Sequence, residues 1–95
     1  MSFKLLVTFN VLEEKTDLFF NIMLGAKSSI EDAEGCQGVE ILQSKENPSK
    51  VILAEVWQSE AQHDSYAEKM KEVGSMESLA AFLVEPPQME MFTIG

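Results

Sequence analysis

The chain has one histidine, His63, and one tyrosine, Tyr66, three residues apart, with Met70 four residues further on. On a helix, positions i, i+3, i+4 and i+7 lie on one face, so His63, Tyr66, Ala67 and Met70 share a side. An imidazole and a phenol on an inward helix face suit proton transfer near neutral pH and the orientation of a phenolic ligand. The competing reading is a partly buried His and Tyr satisfied by backbone groups. Trp57 precedes this segment and can stack on an aromatic ligand or pin a strand to a helix as a core residue. Asn10 can hydrogen-bond a ligand carbonyl or enolate, or stand as a polar strand-end residue in solvent. Met23, Met70, Met76, Met89 and Met91 can line an adaptable pocket or fill an irregular core. Cys36 is the only cysteine. It cannot form an internal disulfide, and no partner assigns it as a nucleophile.

The elements that must position these residues follow from periodicity. Phe3, Leu5, Val7, Phe9 and Val11 alternate with Lys4, Leu6, Thr8 and Asn10, which is a strand. Thr16 or Asp17 caps a helix whose stripe is Phe19, Ile22, Met23, Ala26, Ile30 and Ala33, and Gly35 stops it. Gly38 to Ser44 reads as a second strand, and Lys50 to Gln58, rich in Val51, Ile52, Leu53, Val56 and Trp57, as a third. Ser59 with Gln62 is a capping box opening a helix that runs to about Val73, before Gly74. Ser75 caps a shorter helix, Pro86-Pro87 forbids its continuation, and Gln88 to Ile94 is the last strand. The order β-α-β, β-α-(α)-β predicts an α+β domain of ferredoxin-like split βαβ topology with a four-stranded antiparallel sheet. Helices cover one sheet face, and a second copy of the chain is the simplest cover for the other.

Ninety-five residues suit a single domain over 1–95. A chain this short buries a modest share of its surface, which also favours a homodimer. Sixteen acidic against seven basic residues give a formal net charge of −9. That repels nucleic acid and anionic membrane, so neither is expected as a partner. No stretch is long enough to span a membrane and the N-terminal apolar run is too short for a signal segment. The reading is a cytoplasmic protein. No Gly-rich phosphate loop, dinucleotide fingerprint or helical pair of metal ligands occurs, so an enzyme here is expected to use no metal, flavin or nicotinamide cofactor.

Glu34-Gly35-Cys36 at a helix end, followed after a strand by Glu55-Val56-Trp57-Gln58-Ser59-Glu60-Ala61, resembles the antibiotic biosynthesis monooxygenase (ABM) family, with its E-G-C and E-x-W-x-S-x-x-A patterns. The resemblance covers nearly the whole chain and implies a dimeric α/β barrel, two ferredoxin-like sheets packed face to face. It implies a cofactor-independent monooxygenase acting on an electron-rich aromatic such as a quinol or anthrone. On that reading His63 is the base, Tyr66 and Asn10 are donors, and Trp57, Met70 and Met76 form the wall, with the pocket between sheet and helices. The alternatives are a non-catalytic small-molecule-binding barrel, a haem-binding or haem-degrading protein, and an isomerase. Many members carry a His nine residues after the motif Trp, where this chain has Tyr66. The haem branch has a Trp there and an axial His ten residues later, where this chain has Met76. Asn10 matches an Asn of that branch. Glu55 can face a dimer interface or pair with a base.

Overall fold

A computed structural model describes residues 2–95 and, of Ser75 and Met76, the backbone alone. The expectation placed on the Met76 side chain therefore lies outside the described residues, whereas the Ser75 cap is not found: Ser75 is the first residue of its helix and Gly74, in the left-handed region, takes the N-cap. The elements are β1 (Phe3–Asn10), a 3-10 turn (Glu13–Lys15), α1 (Thr16–Glu31), β2 (Cys36–Gln43), β3 (Lys50–Trp57), α2 (Glu60–Glu72), α3 (Ser75–Leu79), a 3-10 turn (Ala80–Phe82) and β4 (Gln88–Thr93). The four strands form one antiparallel sheet in the order β2-β3-β1-β4. This is the ferredoxin-like arrangement anticipated from the element order.

Alternation decides which side chains go under the helices. Leu5, Val7 and Phe9 of β1 pair with Glu55, Leu53 and Val51 of β3, and all six are buried. Phe19, Met23 and Ile30 bring α1 onto this face, and the Phe9 and Phe19 rings meet at 5.1 Å in a tilted pair of the favourable kind. Ile22, assigned above to the buried stripe, is exposed. The contacting stripe is narrower than the apolar one.

Three ends depart from the sequence reading. Lys15 occupies the N-cap of α1 and makes no side-chain cap bond. The 3-10 turn runs straight into the helix, and the N–H groups of Lys15 and Thr16 donate to the Leu12 and Glu13 carbonyls. Thr16 Oγ1 instead donates to the Leu12 carbonyl. β2 begins at Cys36 rather than Gly38, with an irregularity between the two. Val11 leaves β1 and forms an isolated bridge to Leu83.

The Ser59 N-cap of α2 is as expected, but the reciprocal half of the box is not made, because the Gln62 side chain meets the Ser59 hydroxyl rather than its backbone N–H. Ser59 is extended, its Oγ accepts from Gln62 N at 3.2 Å, and it donates to Gln62 Oε1 at 3.0 Å. Gly74, at φ +70°, ends the segment by donating to the Lys71 carbonyl.

Candidate active site at the junction of strand β3 and helix α2

The two sequence motifs meet in space. Cys36 pairs with Trp57 across the β2–β3 ladder, and the Gly35 carbonyl accepts from Gln58 N at 2.7 Å. Gly35 sits at φ +88°, and a Cβ there would overlap Cβ and the carboxamide of Gln62 in the first turn of α2. A residue without a side chain thus lets the α1–β2 corner touch the start of α2. Gly35→Ala is expected to cost about 2 kcal/mol, roughly half from the left-handed backbone and the rest from the overlap. Adding Gln62→Ala, which removes the carboxamide but keeps the Cβ, should recover only the carboxamide share of the overlap, a difference readable in urea unfolding midpoints. Full recovery in the double variant would show that backbone strain at Gly35 contributes nothing.

That corner fixes the start of α2, and its inward face delivers the side chains. Trp57 is fully buried at the end of β3 and His63 is 9% exposed. The imidazole meets the indole edge-on at 5.4 Å, and the Tyr66 ring lies tilted against the same indole at 5.5 Å. Tyr66 is half-buried, as is Met70 one turn on, while Ala67 is exposed. The contacting face is therefore His63, Tyr66 and Met70. An open groove of about 450 Å³ between α1 and α2 is lined by Ala33, Glu34, Gln62, Ser65, Tyr66 and Met70, among others. Trp57 packs against its Tyr66 wall, and neither Trp57 nor His63 lines the groove itself.

The imidazole is not a satisfied core histidine. His63 Nδ1 is buried, and although Asp64 Oδ1 stands 3.4 Å away, no hydrogen bond is formed. A buried polar atom without a partner costs about 1–3 kcal/mol, and such atoms are concentrated where function requires them.

Glu55 completes the cluster. Its register with Leu5 and Val39 turns it under the helices, not toward the open sheet face where a dimer interface was one expectation. It is 4% exposed, and Trp57 Nε1 donates to its Oε1 at 2.7 Å. Burial pushes its carboxyl pKa up, against the opposing pull of the Trp57 N–H and of His63. Burial also raises the Tyr66 phenol, with smaller contributions from Glu55 and Cys36. The phenol therefore remains a hydrogen-bond donor at neutral pH.

The raised Glu55 pKa has a definite consequence for stability. Below the unfolded value of about 4.3 both states hold the proton and the group imposes no penalty. As pH rises through the higher folded value, the buried carboxyl must ionise, and that contribution to stability is lost. Glu55→Gln, whose carboxamide oxygen can still accept from Trp57, is expected to stabilise the fold at pH 7. The gain should vanish near pH 3.5 in paired urea titrations. An equal gain at both pH values would separate the effect from ionisation.

Asn10 is not brought to this cluster. It belongs to the opposite face of β1, and the register that sets Phe3 beside Trp57 sets Asn10 beside Lys50. Seven residues of strand separate those ends, about 23 Å. Asn10 Nδ2 donates to Glu85 Oε1 at 2.8 Å in an exposed pair. Within one chain it cannot reach a ligand held by His63 and Tyr66. Conversely, the sequence reading left Glu55 without a place in the site. The available signal was its spacing of two from Trp57, which places both on one strand face.

Among the described residues, no helix is long and apolar enough to cross a membrane. A model of the antibiotic biosynthesis monooxygenase family matches residues 2–69, a span that includes Gly35, Glu55, Trp57, His63 and Tyr66. No curated protein matches the chain. Among solved structures, a conserved protein from Methanosarcina mazei Go1 superposes with a TM-score of 0.88 at 21% identity, covering 100% of this chain and 94% of its own. The Rv0793 protein of Mycobacterium tuberculosis gives 0.87 at 10% identity, with 100% and 96% coverage. A structure named as an antibiotic biosynthesis monooxygenase gives 0.85 at 11% identity, with 98% of each chain covered. At these identities the likeness establishes the fold alone.

Proposed function

Because the chain belongs to the antibiotic biosynthesis monooxygenase family, we propose that it is a cofactor-independent monooxygenase. Its substrate would be an electron-rich hydroxylated aromatic of the quinol or anthrone class. The observation that carries this reading is the buried imidazole of His63, whose Nδ1 makes no hydrogen bond, set against Trp57, which also packs on Tyr66. The substrate enters along the α1–α2 groove and lies against Tyr66 and Met70. His63 takes a proton from it, leaving the electron pair on the substrate as a carbanion or phenolate. That anion reduces dioxygen, a carbon–oxygen bond forms, His63 returns its proton to the peroxide anion, and the hydroperoxide loses water to leave a new carbonyl. The Tyr66 hydroxyl donates to the developing oxyanion. The aromatic walls exclude water and hold the ring in place.

The test is dioxygen uptake by purified protein over a panel of quinols and anthrones, with autoxidation in buffer subtracted. Uptake above the blank, with the oxygenated product, supports the reading. Saturable binding without uptake would favour a binding barrel, and keto–enol exchange without uptake an isomerase. The haem alternative is weakened by Met76, which stands where the haem branch has its axial His.

The proposed assembly is a homodimer through the open sheet face. There Leu6 pairs with Ala54, and Leu42 with Ile52, while Leu42 and Phe92 are 45% and 41% exposed. The wild type should sediment at twice the chain mass. A charge at the centre of that face, Leu6→Asp, should shift it to the monomer, since an unpaired buried charge costs several kcal/mol. A monomeric wild type at micromolar concentration would remove the dimer.

A further inference from the structure

Two carboxylates compete to influence His63. Asp64 is near its Nδ1, but the Asp64 side chain is 71% exposed. Solvent therefore weakens its charge. Glu55 is 4% exposed, so its charge acts through a poorly screening interior. Its Oε1 is fixed by the Trp57 N–H, and its Oε2 takes no hydrogen bond among the described residues. The same indole that fixes this carboxylate also packs against the imidazole. Orientation of both groups thus depends on one rigid, fully buried ring.

We infer that Glu55 is a positioning residue for the reaction: anchored by Trp57, its carboxylate stabilises the imidazolium that forms when His63 accepts the substrate proton. This inference rests on the proposed role of His63 as the base. In the step, the substrate O–H or C–H bond breaks, an N–H bond forms on the imidazole, and the electron pair remains on the substrate. Glu55 neither gains nor loses a proton. It offsets the new positive charge and limits the charge separation across the site. The other titratable groups around it are Cys36 from β2 and Tyr66 from α2. Across the ladders β1 presents Leu5 and β2 presents Val39, and neither ionises. His63 is thus the basic group acting on Glu55, and the two meet the same indole, one at its N–H and the other at its ring.

The chain has a single histidine, so in untagged protein one set of imidazole resonances reports the coupling without any turnover. The titration of those resonances is compared in wild type, Glu55→Gln, Glu55→Asp and Asp64→Asn. Glu55→Gln, which removes the buried charge held by the same indole, should move the midpoint down. Glu55→Asp, which keeps the charge, should recover part of that shift, and Asp64→Asn should move it less than Glu55→Gln does. The acid limb of the pH–uptake profile should move with the resonances. An unchanged midpoint in folded Glu55→Gln, or a larger shift in Asp64→Asn, overturns the inference. If Glu55→Gln leaves the midpoint fixed while His63→Ala abolishes uptake, Glu55 is excluded and the base assignment stands. If the midpoint moves but His63→Ala retains uptake, the base assignment fails and the positioning role in catalysis fails with it.

Discussion

His63→Ala is expected to lower dioxygen uptake by about 100-fold or more, the usual contribution of a positioned general base. The loss should fall on kcat, with little change in KM. An imidazole that accepts a proton only as the reaction proceeds does not contribute to ground-state binding. The walls of the groove, including Tyr66 and Met70, remain in the variant. The fold should survive. Truncation removes ring packing against Trp57, but it also removes a buried nitrogen that has no hydrogen bond. The two effects oppose each other, and a net loss of about 1–2 kcal/mol is expected. Tyr66→Phe keeps the ring and removes one neutral donor, so its loss should be about tenfold, the scale of one net hydrogen bond. Retention of turnover within about twofold in folded His63→Ala would remove the imidazole from the chemistry. A rise in KM with kcat unchanged would instead make it a binding residue.

The features legible in the sequence were those set by short-range geometry. The alternation of Phe3, Leu5, Val7 and Phe9, the Ser59–Gln62 cap, and the glycines at 35 and 74 each depend on neighbours a few residues away, and each occurs where periodicity put it. The helical spacing of His63, Tyr66 and Met70 likewise fixed their common face before any tertiary contact was known. Glu55 shows where local pattern runs out. In β3 both alternating sets are apolar: Val51, Leu53 and Trp57 on one side, Ile52, Ala54 and Val56 on the other. A spacing of two shows that Glu55 shares a face with Trp57, but not which face the helices cover. The tertiary pairing decides that, by setting Glu55 opposite Leu5 and Val39 on the face that α1 packs against. Asn10 fails for a related reason. Its strand face was readable, but its end of the sheet follows from antiparallel register with β3, which no local pattern encodes. Ile22 lies within an apolar stripe wider than the contact it serves, because the sheet meets only part of the circumference of α1.

Trp57→Ala is expected to have the largest effect on stability of any single change in the cluster. The residue is fully buried, contacts both His63 and Tyr66, and supplies the N–H that holds Glu55. Truncating a buried aromatic costs about 3–5 kcal/mol in cavity and transfer terms. The stranded carboxylate adds a further penalty of about 1–3 kcal/mol. Against a total of roughly 5–15 kcal/mol for an ordinary domain, the variant should be largely unfolded at 25 °C or unfold at very low urea. Trp57→Phe separates the two parts, since it keeps most of the packing and removes only the N–H. The Trp57 hydrogen bond lowers the Glu55 pKa, so its loss raises the folded value further. Stability that depends on the protonated carboxyl is present at low pH and disappears as pH rises through that value. The cost of Trp57→Phe should therefore be larger at pH 7 than at pH 3.5. The difference should disappear in a Glu55→Gln background, where no carboxylate remains to ionise. A Trp57→Phe cost that is the same at both pH values would mean that the indole acts on this site through packing alone, and that its hydrogen bond to Glu55 does not tune the carboxyl.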